Sequence, residues 1–159
     1  MFSLSFEKRV GGTKLQKADF MPLFRYGLKI LQQKGQLKNV QDGSEVHLAI
    51  VNDEEIKALN LAYRGKNSST DVLSFSYLQE KSFPLDNLIG ELVISVETAM
   101  RQACARKKTF KEEARFLFVH GLLHLFGHDH KKPAERKKMF ALQDEILGNP
   151  DGTSLKNFI

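Results

Sequence analysis

The sequence predicts an α+β domain: a small mixed sheet of about four strands packed with about five helices. Strand-like segments crowd the first two thirds of the chain, and helical periodicity takes over in the last third. With 159 residues, 42% of them hydrophobic, the chain can bury one core and has no need of a second.

The elements follow in order. FSLSF near the N-terminus alternates and reads as a first strand. Between about residues 16 and 34, Phe20, Leu23, Phe24, Gly27, Leu28 and Leu31 are spaced for one face of an amphipathic helix, with Gly35 as a stop. EVHLAIVN, Glu45 to Asn52, reads as a strand, and Asn52 or Asp53 can cap a helix from about Glu54 to Ala62. The loop YRGKNSST leads to a strand at Val72 to Tyr77. A turn-rich stretch around Pro84 to Asn87 then separates it from another at Leu88 to Val96, a pair suited to antiparallel bonding. From Glu97 the period becomes helical through Lys107. Thr109 can cap a helix from Phe110 to about Phe126, and Pro133 opens a last one ending before Gly148. Residues 1–159 are read as a single domain, with an irregular tail from about residue 149.

Composition excludes several classes. The single cysteine, Cys104, can form neither an internal disulfide nor a thiolate metal site. MFSLSFEKRVGG lacks the basic stretch, apolar run and cleavage pattern of a signal peptide. The longest apolar run, Phe116 to Phe126, is too short to span a membrane and carries two histidines. A cytoplasmic protein with no membrane partner is the expectation. Basic residues gather at Arg101, Arg106, Lys107, Lys108 and Lys111, and again at Lys131, Lys132, Arg136, Lys137 and Lys138. Such clusters favour a polyanion through counterion release, although solvated helix faces are the plainer account of charge runs alone.

The chemistry concentrates in HGLLHLFGHDH. His120 and His124 are four residues apart on the penultimate helix, so both imidazoles lie on one face, one turn above the other. Gly127 stands where the helix ends, and a left-handed residue there would let the chain reverse and bring His130 beside the pair. Three neutral imidazoles suit one Zn2+ ion with an open fourth position for water, the pattern of catalytic rather than structural sites. They also leave a formal charge near plus two, which attracts an anionic substrate. The bland alternative makes His120 and His124 ordinary polar residues of an apolar helix. His128 reads as a surface or supporting residue, His47 as structural, and Asp129 as either a turn aspartate or a partner that orients a ligand imidazole.

The spacing HxxxHxxGxxH also occurs in metzincin proteases, where a glutamate after the first histidine is the general base. Here that residue is Gly121, so a zinc-dependent peptidase would need another carboxylate, such as Glu91, to reach the site from a strand. A non-catalytic factor that binds through the basic clusters, with a structural metal and no turnover, is a further alternative.

HGLLHLFGHDH resembles the signature of the YbeY family of metal-dependent endoribonucleases. LNLAYRGKNSSTDVLSFSY, Leu59 to Tyr77, is similar to that family's YRG loop and following T-[DN]-VLSF strand. IGELVIS, Ile89 to Ser95, matches its G-[DE]-[IL]-x-I-[SC] strand, and Met139, Leu142, Glu145 and Ile146 fit as well. One departure is His128, where the family commonly has tyrosine. The resemblance implies an α+β fold, a metal on the three histidines, ribosomal RNA and the ribosomal subunit as partners, and a role in ribosomal RNA maturation and ribosome quality control.

A phosphodiester substrate agrees with the residues, because a dicationic site stabilises charge growing on phosphate oxygens better than it would a neutral amide. Arg64, in the loop after the second helix, can hold a phosphate with a planar guanidinium, or it can be a solvated arginine. The resemblance favours a catalytic part for it. Ser69, Thr70 and Asp71 read first as turn residues, and Phe75, Phe116, Phe118 and Phe126 as core.

Overall fold

Alternation along each strand decides which side chains meet the helices. The structure, a computed structural model, describes residues 1–78 and 87–148. Its four strands are β1 (Ser3–Lys8), β2 (Glu45–Val51), β3 (Val72–Ser76) and β4 (Leu88–Ser95), joined in the order β1-β2-β4-β3. β1, β2 and β4 run parallel, and β3 pairs antiparallel with β4 at one edge, as the sequence led us to expect. The register sets Phe6, Leu48, Leu92 and Ser74 abreast on one face, and Ser5, His47, Glu91 and Phe75 abreast on the other.

The first face is buried beneath α1 (Met21–Gln33), α4 (Phe110–Leu125) and α5 (Pro133–Gly148). Phe20, Phe24, Leu48, Leu92, Phe118 and Leu122 belong to that main core, all at most 1% exposed. Joining β1 to a parallel β2 needs a crossover, which α1 supplies. The opposite face holds a smaller cluster of Ala49, Val51, Ile56, Leu73 and Val93 under α2 (Asp53–Arg64), while α3 (Val96–Ala105) leads from β4 towards α4.

Several boundaries differ from expectation: α5 runs through Gly148 instead of ending before it, α3 stops at Ala105, short of Lys107, and β4 ends at Ser95. The first long helix begins at Met21, after a separate 3-10 turn at Lys17–Asp19, because Pro22 lacks an N–H and fits only in a first turn. α2 runs on to Arg64, where Gly65 at φ 68° stops it, so Arg64 is the last helical residue rather than part of the loop. The expected irregular tail and most of the expected turn at Pro84 to Asn87 lie outside the described residues.

α4 is the element the site depends on. Thr109 and Glu112 close its N-terminus as a capping box. At Gly121 it approaches the sheet so closely that an added Cβ would lie 2.9 Å from Leu92 Cδ2 and 3.1 Å from Ser74 Oγ. The hydroxyls of Ser74 and Ser76 donate to the carbonyls of Gly121 and Leu125 at 3.2 and 2.7 Å, tying β3 to this helix.

Candidate metal centre

The end of α4 forms the turn that its sequence foreshadows. Gly127 takes φ 88°, its N–H bonds to the carbonyl of His124 at 3.1 Å, and the N–H of His128 bonds to that of Leu123 at 3.1 Å. These are the two bonds of a Schellman closure, and they reverse the chain so that His130 meets the helix pair. Ring centroids stand 4.7 Å apart for His120 and His124, 5.4 Å for His120 and His130, and 5.3 Å for His124 and His130. One nitrogen from each ring lies within 4.8 Å of the other two, and the Nε2 atoms of His120 and His124 are 3.1 Å apart.

Tetrahedral Zn–N bonds of ~2.0–2.1 Å put two ligand nitrogens about 3.3 Å apart, so the α4 pair already has the separation that an ion requires. Their protonation fits as well. Burial, and then the neighbouring His120, push the His124 imidazole down to about 4, and burial is the main cause lowering His120. Both rings are therefore neutral near pH 7 and have a lone pair to give. His120 Nδ1 lies 2.9 Å from Gln143 Oε1, an oxygen that can only accept, so the proton sits on Nδ1 and the Nε2 lone pair faces the cleft.

The three rings line a cleft of about 720 Å3 that Arg64, Asp71, Ser74 and Lys131 also line. The structure thus brings Arg64 and the histidines to one cavity. Arg64 Nη2 donates to the carbonyl of Ser74 at 2.7 Å, which aims the guanidinium while leaving other donors for a ligand. Ser69 and Thr70 border the same cleft. Asp71 keeps its turn role, accepting from the N–H of Val72 at 2.7 Å, and also receives Gln102 Nε2 at 3.2 Å.

A profile described as "Endoribonuclease YbeY" matches residues 7–150. The chain belongs to the YbeY family. It is 41% identical over 126 residues to the "Endoribonuclease YbeY" of Geobacillus kaustophilus (strain HTA426), covering 75% of this chain and 81% of that protein. With the protein of the same name from a Bacillus cereus strain it shares 35% over 142 residues, covering 85% of this chain and 89% of that one. A solution structure of a Thermotoga maritima protein is similar over 95% of this chain and 96% of its own, at 26% identity and a TM-score of 0.49.

Within this chain, several neighbouring residues take definite places. Asp129 accepts from the backbone N–H of His130 at 2.7 Å and comes no nearer than 4.0 Å to its Nδ1, so it is a turn residue. The residue holding a ring is Gln143, only 3% exposed on α5, and sequence reading passed over it because nothing local marks a contact 23 positions away. His128 lines the same cleft but its ring bonds to Gln36 Oε1 at 2.7 Å, while His47 bonds to Ser5 Oγ at 2.7 Å, apart from the cluster. Phe118 is core as expected. Phe116 is half-buried, lies nearly parallel to His120 with centroids 6.2 Å apart, and has Arg106 and Lys108 over its ring at 5.5 and 5.1 Å.

Neither carboxylate route to a peptidase survives. Gly121 faces the sheet with no space for a side chain. Glu91 lies on the sheet's other face, where it accepts from the Tyr77 hydroxyl at 3.0 Å. Among the described residues, no helix is long and apolar enough to cross a membrane.

Proposed function

We propose that this chain is a single-domain, zinc-dependent endoribonuclease that hydrolyses single-stranded RNA during ribosomal RNA maturation and ribosome quality control in the cytoplasm. The observation that carries this reading is the convergence of three imidazole nitrogens within 4.8 Å of one another in a cleft that also holds Arg64. The names of the relatives supply the substrate class.

His120, His124 and His130 are the proposed ligands, and the neutral donor set with its α4 pair at 3.1 Å suits the ion. A zinc ion bound there supplies Lewis acidity, lowering the pKa of water at its open position and offsetting charge on phosphate oxygens. The protein's own groups do the rest. Gln143 holds the His120 proton on Nδ1, so that ring stays a donor of electrons. Arg64 is the proposed catalytic arginine, clamping a phosphate and meeting charge that grows on it during cleavage. Lys131, which lines the cleft, and Lys108, over the Phe116 ring, add positive potential near it.

The deciding experiment measures bound metal in the purified protein and compares cleavage of single-stranded and duplex RNA with and without chelator. Zinc near one equivalent, single-strand cleavage and its loss on chelation with the fold retained are expected. RNA binding and unfolding that respond to chelator together, with no turnover at any metal load, would instead show a ribosome-binding factor with a structural metal.

A further inference from the structure

Past the end of α2, the sheet's second face opens into a separate cavity of about 430 Å3. That size falls within the ~300–1,000 Å3 of small-ligand sites. α2 covers the smaller cluster with Ile56 and Leu59, and its last turn leaves Tyr63 71% exposed at the cavity's rim. The row His47, Glu91 and Phe75, abreast on three strands, lines the cavity together with Tyr77.

Its chemistry is aromatic on one side and polar on the other. Tyr63 meets the half-buried Phe75 edge to face, with centroids 5.4 Å apart. Glu91 takes one bond from Tyr77, and a carboxylate has about four acceptor sites, so it keeps capacity for a further donor. Among the described residues lining this cavity, Arg9 and the His47 ring are both engaged. Arg9 donates to Glu55 at 2.6 Å and lies 3.2 Å from Glu7, and His47 sits between Ser5 and Glu7. Among the described residues, no unpaired cation lines this cavity to recruit a phosphate. Arg64, by contrast, stands between the two cavities: it lines the histidine cleft, and its Cζ lies 5.8 Å from the Phe75 ring centroid. Ser74 lines both.

A phosphate-binding arginine beside an aromatic, acceptor-bearing hollow has the layout of a nucleotide. The geometry points to a subsite for one unpaired nucleobase of single-stranded RNA, adjoining the phosphate at the histidine cleft, with Tyr63 and Phe75 against the ring and Glu91 accepting from an exocyclic amino group. This rests on the endoribonuclease reading above and deepens it. A paired base has its amino edge occupied, so such a subsite selects single strands. A carboxylate accepts but cannot donate, so cytosine, with an amino group at C4, is preferred to uracil, which has a carbonyl there.

The test uses the full-length, zinc-loaded protein and two fluorescent single-stranded decamers near pH 7, oligo(C) and oligo(U), which carry the same charge. We expect oligo(C) to bind about tenfold more tightly. Tyr63→Ala weakens both by about five- to tenfold, and Tyr63→Phe restores most of that, since it keeps the ring. Glu91→Gln abolishes the preference, because an amide can accept from cytosine or donate to uracil, while its oxygen still accepts from Tyr77 and the melting temperature holds. Equal affinities for the two oligomers, an unchanged preference in Glu91→Gln, or unaltered binding by a folded Tyr63→Ala protein overturns the subsite while RNA cleavage stands. Wild-type protein that neither binds nor cleaves either oligomer overturns the endoribonuclease reading, and the subsite with it.

Discussion

Gln143 Oε1 accepts the Nδ1 proton of His120 at 2.9 Å, and this one contact from α5 decides which nitrogen of that ring points into the cleft. Supporting acceptors of this kind commonly affect metal affinity by about 10- to 100-fold. Gln143→Leu should therefore weaken zinc binding by that factor in a competition titration against a chelator. Gln143→Glu, which keeps an acceptor, should retain it. Undiminished affinity in Gln143→Leu would reduce the contact to packing.

Gly121 sets the distance between α4 and the sheet. A Cβ there gains ~1 kcal/mol of helix propensity, whereas overpacking against Leu92 and Ser74 costs ~1–3 kcal/mol, and a glutamate adds the cost of burying a carboxylate. The penalties win. Gly121→Glu should lower the melting temperature by about 5 °C or more and yield no peptidase, despite restoring the metzincin pattern. A stable variant that cleaves peptides would contradict this.

Arg64 is exposed and carries none of the core. Replacing it with Ala should leave zinc content and melting temperature nearly unchanged while RNA cleavage falls by about two to three powers of ten, the scale of one lost donor to transition-state charge. Arg64→Lys should regain little, because an ammonium cannot bond Ser74 and a phosphate with the same planar fork. A drop in affinity as large as the drop in rate would mean that Arg64 only holds substrate. Full activity in a folded, metal-loaded Arg64→Ala protein would remove it from the mechanism.

Asp53 joins the start of α2 to α3. Burial works against its charge, but Ser95 and Thr98 donate to Oδ1 at 2.5 and 2.6 Å and Arg101 to Oδ2 at 2.8 Å, and together they hold its pKa below the ordinary value. A depressed carboxyl stabilises the fold above its unfolded pKa of about 3.9, and that contribution is lost as pH falls through the folded value. Unfolding free energy should thus drop more steeply below about pH 5 in the wild type than in Asp53→Asn. Parallel curves would deny Asp53 this part.

What was legible in the sequence was local. The four-residue step from His120 to His124 and the left-handed need at Gly127 are properties of one helix and its end, and both stand in the structure as read. Arg64 was placed one element off because helix ends are decided by a single residue, here Gly65. Gln143 and the face taken by Glu91 depend on docking and on strand register, which no short window encodes. Phe75 and Phe116 were taken for core from their periodicity. The uncovered stretch of sheet beyond α2 leaves Phe75 half-buried beside a cavity, and Phe116 is half-buried with the His120 ring alongside it and Arg106 and Lys108 over its face.

β3 lies at the sheet's edge, where unpaired backbone groups invite other strands and hence self-association. Asp71 and Tyr77 bond across to β4, so the groups of Val72 and Ser74 point outward. The Val72 N–H is taken by the Asp71 carboxylate and the Ser74 carbonyl by Arg64. The arginine that faces the cleft is thus also a guard on the open edge. Its removal would uncover a bare carbonyl in the middle of a five-residue strand, so the side chain proposed to hold a phosphate also covers an edge open to self-association.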